Sequence, residues 1–109
     1  MLSAVGAVVD ELGRDAVRAC RHRLEHLEMV DDDAIDQLRR WGMVASVQSA
    51  FDALWGGPEG MYAERLGVDR AVATNPLADL VDAGVPVALG SDAPVTPMDP
   101  WGGVHAAVD

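Results

Sequence analysis

The chain has 109 residues, with 8 Lys+Arg against 18 Asp+Glu, and carries a formal net charge of −10 at pH 7. That charge, together with an isoelectric point near 4.4 and no basic run, excludes charge-driven binding to phosphate backbones or anionic lipid, so neither nucleic acid nor a membrane is an expected partner. Half of the residues are apolar and 24% are charged, which is the composition of one folded domain rather than of a disordered chain.

Leu2, Val5, Val9 and Leu12 recur at steps of three and four, which predicts a first helix ended by Gly13. Arg21 to Leu27 reads as a strand with His22, Leu24 and His26 on one face and Arg23 and Glu25 on the other, beside the helices, where an ion pair is expected. A helical reading that pairs His22 with His26 is disfavoured by the flanking arginines. Asp31, Asp32 and Asp33 open a helix with Ile35, Leu38 and Trp41 on one side and Gly42 at its end. They lack the Gly and distal Glu of a calcium loop and are read as capping residues.

Met43 to Gln48 is an apolar run of strand length, followed by a loop through Trp55-Gly56-Gly57-Pro58-Glu59-Gly60. Met61 to Leu66 reads as a short helix. Asn75-Pro76 opens another, with Asn75 as cap, Pro76 at the first helical position and Gly84 as stop. Pro86 to Gly90 is expected to be a buried strand, Ser91 to Pro100 a proline-rich loop, and Trp101 to Val108 the start of a last helix, with His105 at a solvated position. No apolar run reaches the roughly 18 residues of a membrane span, and Met1 to Asp10 does not resemble a signal peptide, so a cytoplasmic protein is expected. The lone Cys20 can form neither an internal disulfide nor a cysteine zinc cluster and is expected to be a small buried residue.

Continuous apolar strands alternating with helices make a parallel α/β pattern. Three such units fit in this length, whereas a closed (β/α)₈ barrel takes about 250 residues. In such folds ligands bind at the carboxyl ends of the strands, which singles out His26 and, after Gly90-Ser91, Asp92. Taken alone, His26 is more often a hydrogen-bonded structural histidine than a ligand, and Asp92 is as readily a turn residue before Pro94.

Arg21-His22-Arg23-Leu24-Glu25-His26, Ala45-Ser46-Val47-Gln48, Ala83 to Val95 with its Gly90-Ser91-Asp92-Ala93-Pro94 centre, and Asp99-Pro100-Trp101 together resemble the last third of a YtcJ-like amidohydrolase, also called amidohydrolase family 3. The resemblance spans nearly the whole chain and places the first three blocks at that family's barrel strands six, seven and eight. It implies a partial (β/α)₈ TIM-barrel segment of about three β/α units, with residues 1–109 forming one C-terminal piece of a catalytic domain. It further implies a hydrolase of non-peptide carbon–nitrogen bonds in small amide-like substrates, dependent on a divalent metal, usually Zn²⁺. His26 then matches a metal-binding or metal-flanking histidine. Asp92 matches an aspartate that ligates metal and acts as the catalytic base for the attacking water. Gln48 and Trp55 would line the substrate pocket.

The family's H-x-H after strand one, its metal-bridging residue on strand four and its strand-five histidine have no counterpart here, and Ser49 stands where relatives often carry proline. Catalytic zinc takes three protein ligands and an open position, and this chain offers His26 and Asp92. The chain by itself is therefore expected to hold metal weakly or not at all and to be inactive until a complementary segment supplies the missing ligands. The competing expectation is a non-catalytic barrel piece that self-associates or pairs with a complementary chain to cover its open sheet edges.

Overall fold

The computed structural model describes residues 1–108. Three parallel strands, β1 (Arg23–Glu25), β2 (Val44–Val47) and β3 (Val87–Leu89), form one sheet in the order β1-β2-β3. Leu24, Ala45 and Val87 share one register row, and Glu25, Ser46 and Ala88 the next, so successive rows face opposite sides of the sheet. The first row packs on the hydrophobic core with Leu27, Ile35, Leu38, Met43, Val47, Leu80 and Val85.

The covering layer is helical. Helix α1 (Leu2–Leu12) lays Leu2 and Val5 against the core, with Gly6 beside the Trp41 ring. A second helix, α2 (Arg14–Cys20), buries Val17 and sends Arg18 to the end of α3 (Asp32–Trp41), where Nη1 donates to the Arg40 carbonyl at 2.9 Å. A cation there complements the partial negative charge of the last carbonyls. The start of α3 is capped by the Asp31 carboxylate, which accepts from the Ala34 amide at 2.9 Å. Its end turns through Gly42 at φ 66°, a conformation that favours glycine, and a Cβ there would crowd the Arg18 side chain. Asp36 bonds both Arg39 and Arg40 one turn on, and these hydrogen bonds hold its carboxyl below the usual carboxylate range.

Between β2 and β3 lie α4 (Ser49–Trp55), α5 (Met61–Leu66), α6 (Val68–Ala71) and α7 (Leu77–Asp82), and α8 (Pro100–Ala106) follows β3. Helices α4 and α8 are tied where the Ser49 hydroxyl donates to the Gly103 carbonyl at 2.6 Å. Asp99 caps α8 by accepting from the Gly102 amide at 3.0 Å.

The parallel α/β expectation and the capping role of Asp31 hold, with several corrections. Helices α2, α4 and α6 were not anticipated, and Ser49 to Trp55 is helix rather than loop. Pro76, not Asn75, occupies the cap position of α7, because Asn75 turns through a left-handed φ of 52° and offers only its carbonyl, to the Leu77 amide. Cys20 is exposed, its thiol donating to the Ala16 carbonyl along α2. The faces of β1 are reversed: Leu24 meets the helices, and the Arg23–Glu25 pair, 2.5 Å apart, lies on the opposite, largely exposed face. The strand β3 is half-covered rather than buried, with Ala88 and Leu89 exposed.

Leu38 is fully enclosed, so Leu38→Ala should lower stability by about 2–5 kcal/mol in urea denaturation. Asp31→Ala, which removes only the cap, should cost about 1 kcal/mol in the same experiment.

Candidate functional site

Parallel strands put all their carboxyl ends at one edge of the sheet, and backbone hydrogen bonds continue past the regular strands there. The His26 amide donates to the Ser46 carbonyl at 2.8 Å and the Gly90 amide to the Val47 carbonyl at 2.9 Å. His26 and Gly90 therefore flank the end of β2 from either side, with Gln48 between them and Ser91-Asp92 directly after Gly90. Two spacings of about 4.8 Å separate the outer strands, so their backbones lie roughly 10 Å apart at this edge.

The same edge holds most of the backbone strain. Of the five non-glycine residues at positive φ among the described residues, three are His26 (72°), Leu27 (56°) and Asp92 (53°), and a fourth, Asn75 (52°), lies close by in the cleft described below. Leu27 is the costliest of these, since an apolar residue gains no local hydrogen bond from its side chain there; each costs on the order of 1–2 kcal/mol. Strain of this kind concentrates at binding and catalytic sites, where packing enforces it. Here Leu27 is held by its buried side chain in the core.

His26 is partly exposed. Its Nδ1 lies 3.6 Å from Glu28 Oε1, and its ring stacks on Phe51 with centroids 6.0 Å apart. Glu28 Oε2 accepts from the Tyr62 hydroxyl at 2.8 Å. Burial, and then this bond, hold the Tyr62 hydroxyl well above the ordinary phenol range. Trp55 packs between Phe51 and Tyr62, with centroid distances of 4.6 Å and 6.4 Å. Asp92 is exposed, and its carbonyl accepts from the Val95 amide at 2.8 Å. The loop after it is closed by a bond from the Thr96 hydroxyl to the Ser91 carbonyl.

Gln48 is only 6% exposed, and its Oε1 has no hydrogen-bond partner among the described residues. It lines a cleft of about 230 Å³ with Leu27, Val47, Asp52, Asn75 and Leu77. A second hollow, of about 360 Å³, lies beside Gly90 and Ser91 against α8. Trp55 lines neither. A buried amide oxygen without a partner is costly, and a bound donor group would satisfy it.

The amidohydrolase family model matches residues 1–109. The chain belongs to the amidohydrolase family. It is 34% identical over 92 residues to the putative amidohydrolase YtcJ of Bacillus subtilis (strain 168), a match covering 81% of this chain and 16% of that protein. Two solved structures share its fold, each a metal-dependent hydrolase. The one from Pyrococcus furiosus has a TM-score of 0.67 and 24% identity, covering 91% of this chain and 22% of that one. The one from Pyrococcus horikoshii OT3 has a TM-score of 0.67 and 27% identity, covering 90% and 20%. This amidohydrolase chain thus spans about a sixth of its curated relative and about a fifth of each solved structure.

For an amidohydrolase the donor set at the edge fits a divalent ion in kind, an imidazole and a carboxylate at the ends of β1 and β3. It falls short in number: among the described residues no three His, Cys, Asp or Glu side chains group together as a metal site. That includes Asp31, Asp32 and Asp33. His22 precedes β1 at the other end of the strand from His26, and His105 lies exposed on α8. Glu28 and Tyr62, which contact each other beside His26, escaped the sequence reading because they are 34 residues apart and no local pattern links them.

On the open face of this amidohydrolase sheet the Ser46 hydroxyl and then Arg23 stabilise the charged form of Glu25, holding its carboxyl below the ordinary value. Its ¹³C-detected titration should therefore show a depressed midpoint. Ser46→Ala should raise it toward the ordinary glutamate value, and an unchanged midpoint would assign the effect elsewhere.

Proposed function

We propose that the chain is a C-terminal segment of a metal-dependent hydrolase acting on non-peptide carbon–nitrogen bonds of small amide-like substrates, and that its strands are the last three of a (β/α)₈ barrel. The observation that carries this reading is the shared carboxyl edge, where His26, Gln48 and Gly90-Ser91-Asp92 follow one another across adjacent parallel strands in the order the family resemblance requires. His26 and Asp92 would hold the divalent ion, with Zn²⁺ the expected metal. When bound, such an ion polarises a carbonyl oxygen and acidifies water. Asp92 is the residue that takes the proton from the attacking water, and its exposed carboxylate at the strand end is free to do so. Gln48 offers its unpartnered amide oxygen to a substrate N–H, while Trp55, which lines neither hollow, would reach substrate only as part of the aromatic group it shares with Phe51 and Tyr62 beside His26.

Two donors are one short of the three protein ligands of catalytic zinc, so hydrolysis requires the rest of a barrel or a complementary segment. A second reading, association of the chain as a non-catalytic barrel piece with itself or with such a segment, is favoured by the sheet. Among the described residues β1 and β3 each pair on one side only, and Leu89, Met98 and Trp101 are exposed near the β3 end. A cytoplasmic setting is part of the same proposal.

Zinc titration followed by calorimetry tests the assignment. The chain should bind Zn²⁺ weakly, His26→Ala and Asp92→Ala should each weaken that binding further with little loss of stability, and the isolated chain should not hydrolyse a panel of small amides. Tight stoichiometric zinc, or binding that neither substitution changes, would contradict it.

A further inference from the structure

Two contacts converge on the Glu28 carboxylate beside His26, and a third holds the Glu28 backbone. Glu28 Oε1 lies 3.6 Å from Nδ1 of the imidazole, and Glu28 Oε2 accepts from Tyr62 Oη at 2.8 Å. The Glu28 carbonyl accepts from the Asn75 amide at 2.8 Å, which fixes the backbone that carries the side chain. Each carboxylate oxygen thus faces a different partner. Tyr62 is buried, so its hydroxyl is held in place by packing against Trp55, and Phe51 stacks on the face of the imidazole.

A neutral imidazole has one N–H and one lone pair, and an ionised carboxylate only accepts. The nitrogen that faces the carboxylate is therefore favoured to carry the proton. At 3.6 Å the pair is longer than a direct hydrogen bond, so it acts through charge or through a bridging water, and either favours the same tautomer. Free histidine in water prefers the proton on Nε2, so this environment reverses the default.

We propose that Glu28, itself held by Tyr62, is a positioning residue that keeps His26 protonated on Nδ1 and leaves the Nε2 lone pair as its ligand atom. A carboxylate behind a ligating histidine fixes ring orientation and raises the basicity of the coordinating nitrogen. The functional meaning of this arrangement rests on the metal role of His26 proposed above, whereas the tautomer itself does not.

Two-bond ¹H–¹⁵N correlation spectra of the 109-residue chain, recorded at about pH 8, distinguish the two neutral tautomers from the doubly protonated ring and so read the tautomer directly. His26 should be predominantly Nδ1–H in the unsubstituted chain. Glu28→Ala should return it to predominantly Nε2–H while leaving the pattern of His22 unchanged. Tyr62→Phe keeps the carboxylate but removes its donor and should shift His26 the same way by less, which provides a test if Glu28→Ala does not fold. A majority Nε2–H form in the unsubstituted chain, or a tautomer unmoved in a folded Glu28→Ala chain, would overturn the proposal. Adding Zn²⁺ in large excess separates the two readings: a shift at Nε2 supports both, and Nδ1–H with no response at His26 supports control of the tautomer by Glu28 while overturning metal binding by His26 in this chain.

Discussion

Everything that could serve chemistry in this chain depends on parallel pairing on both sides of β2. Antiparallel pairing would send neighbouring strands to opposite edges. Parallel pairing instead delivers the residues that follow each strand to a common edge, here His26 after β1, Gln48 after β2 and Gly90 after β3. The pairing is held in register by the buried row of Leu24, Ala45 and Val87, with Leu38, Met43 and Leu80 packed over it. Slipping any strand by one residue would turn that row outward and expose apolar surface worth about 25 cal/mol per Å².

The sheet is covered on one side only. The helix-facing rows are apolar, while the other face carries Arg23 and Glu25, Ser46 and Ala88. Charged residues on that face are tolerable because the ion pair remains largely in contact with solvent, where separating the charges from water costs little. In a complete barrel that face would be the interior, and the Glu25 carboxylate would keep two compensating partners, the Ser46 hydroxyl and the Arg23 guanidinium. At the edge, the left-handed backbone of His26 and Leu27 is strain that the core pays for through the burial of Leu27. The orphaned oxygen of Gln48 is a second local cost, without a partner among the described residues. Most of these local costs gather at the carboxyl edge of the sheet, the pattern expected of a binding site.

Much of this was legible in the sequence where a local rule governs. The α3 helix was, because Asp31, the Ile35-Leu38 stripe, the late arginines and Gly42 all point to the same structure. The β2 strand was, because Met43 to Val47 is an apolar run of strand length interrupted by Ser46 alone. Helix α4 was not: it starts directly after the strand with no side-chain cap at Gln48, and its burial of Ser49 and Phe51 leaves no wide apolar stripe. Helix α2 was hidden in the same way, with Val17 its sole buried residue. The reversed faces of β1 show a limit of alternation, which separates two sets of residues without saying which set meets the helices. At the site, His26 and Asp92 were found through their position after strands and through the family blocks, and Gln48 through those blocks. The Glu28–Tyr62 contact could not be found, since it exists only once the β2-to-β3 connection has folded back on the end of β1.

The ends of β1 and β3 are proposed to serve one metal site at the shared edge. Paramagnetic broadening of backbone amide signals by substoichiometric Mn²⁺ tests it most directly, because the effect falls steeply with distance from the ion. The expected result is selective loss of signals around His26 and Ser91-Asp92 together, with Gln48 between them. Broadening centred on Asp31 to Asp33, or at one of the two strand ends without the other, would contradict it.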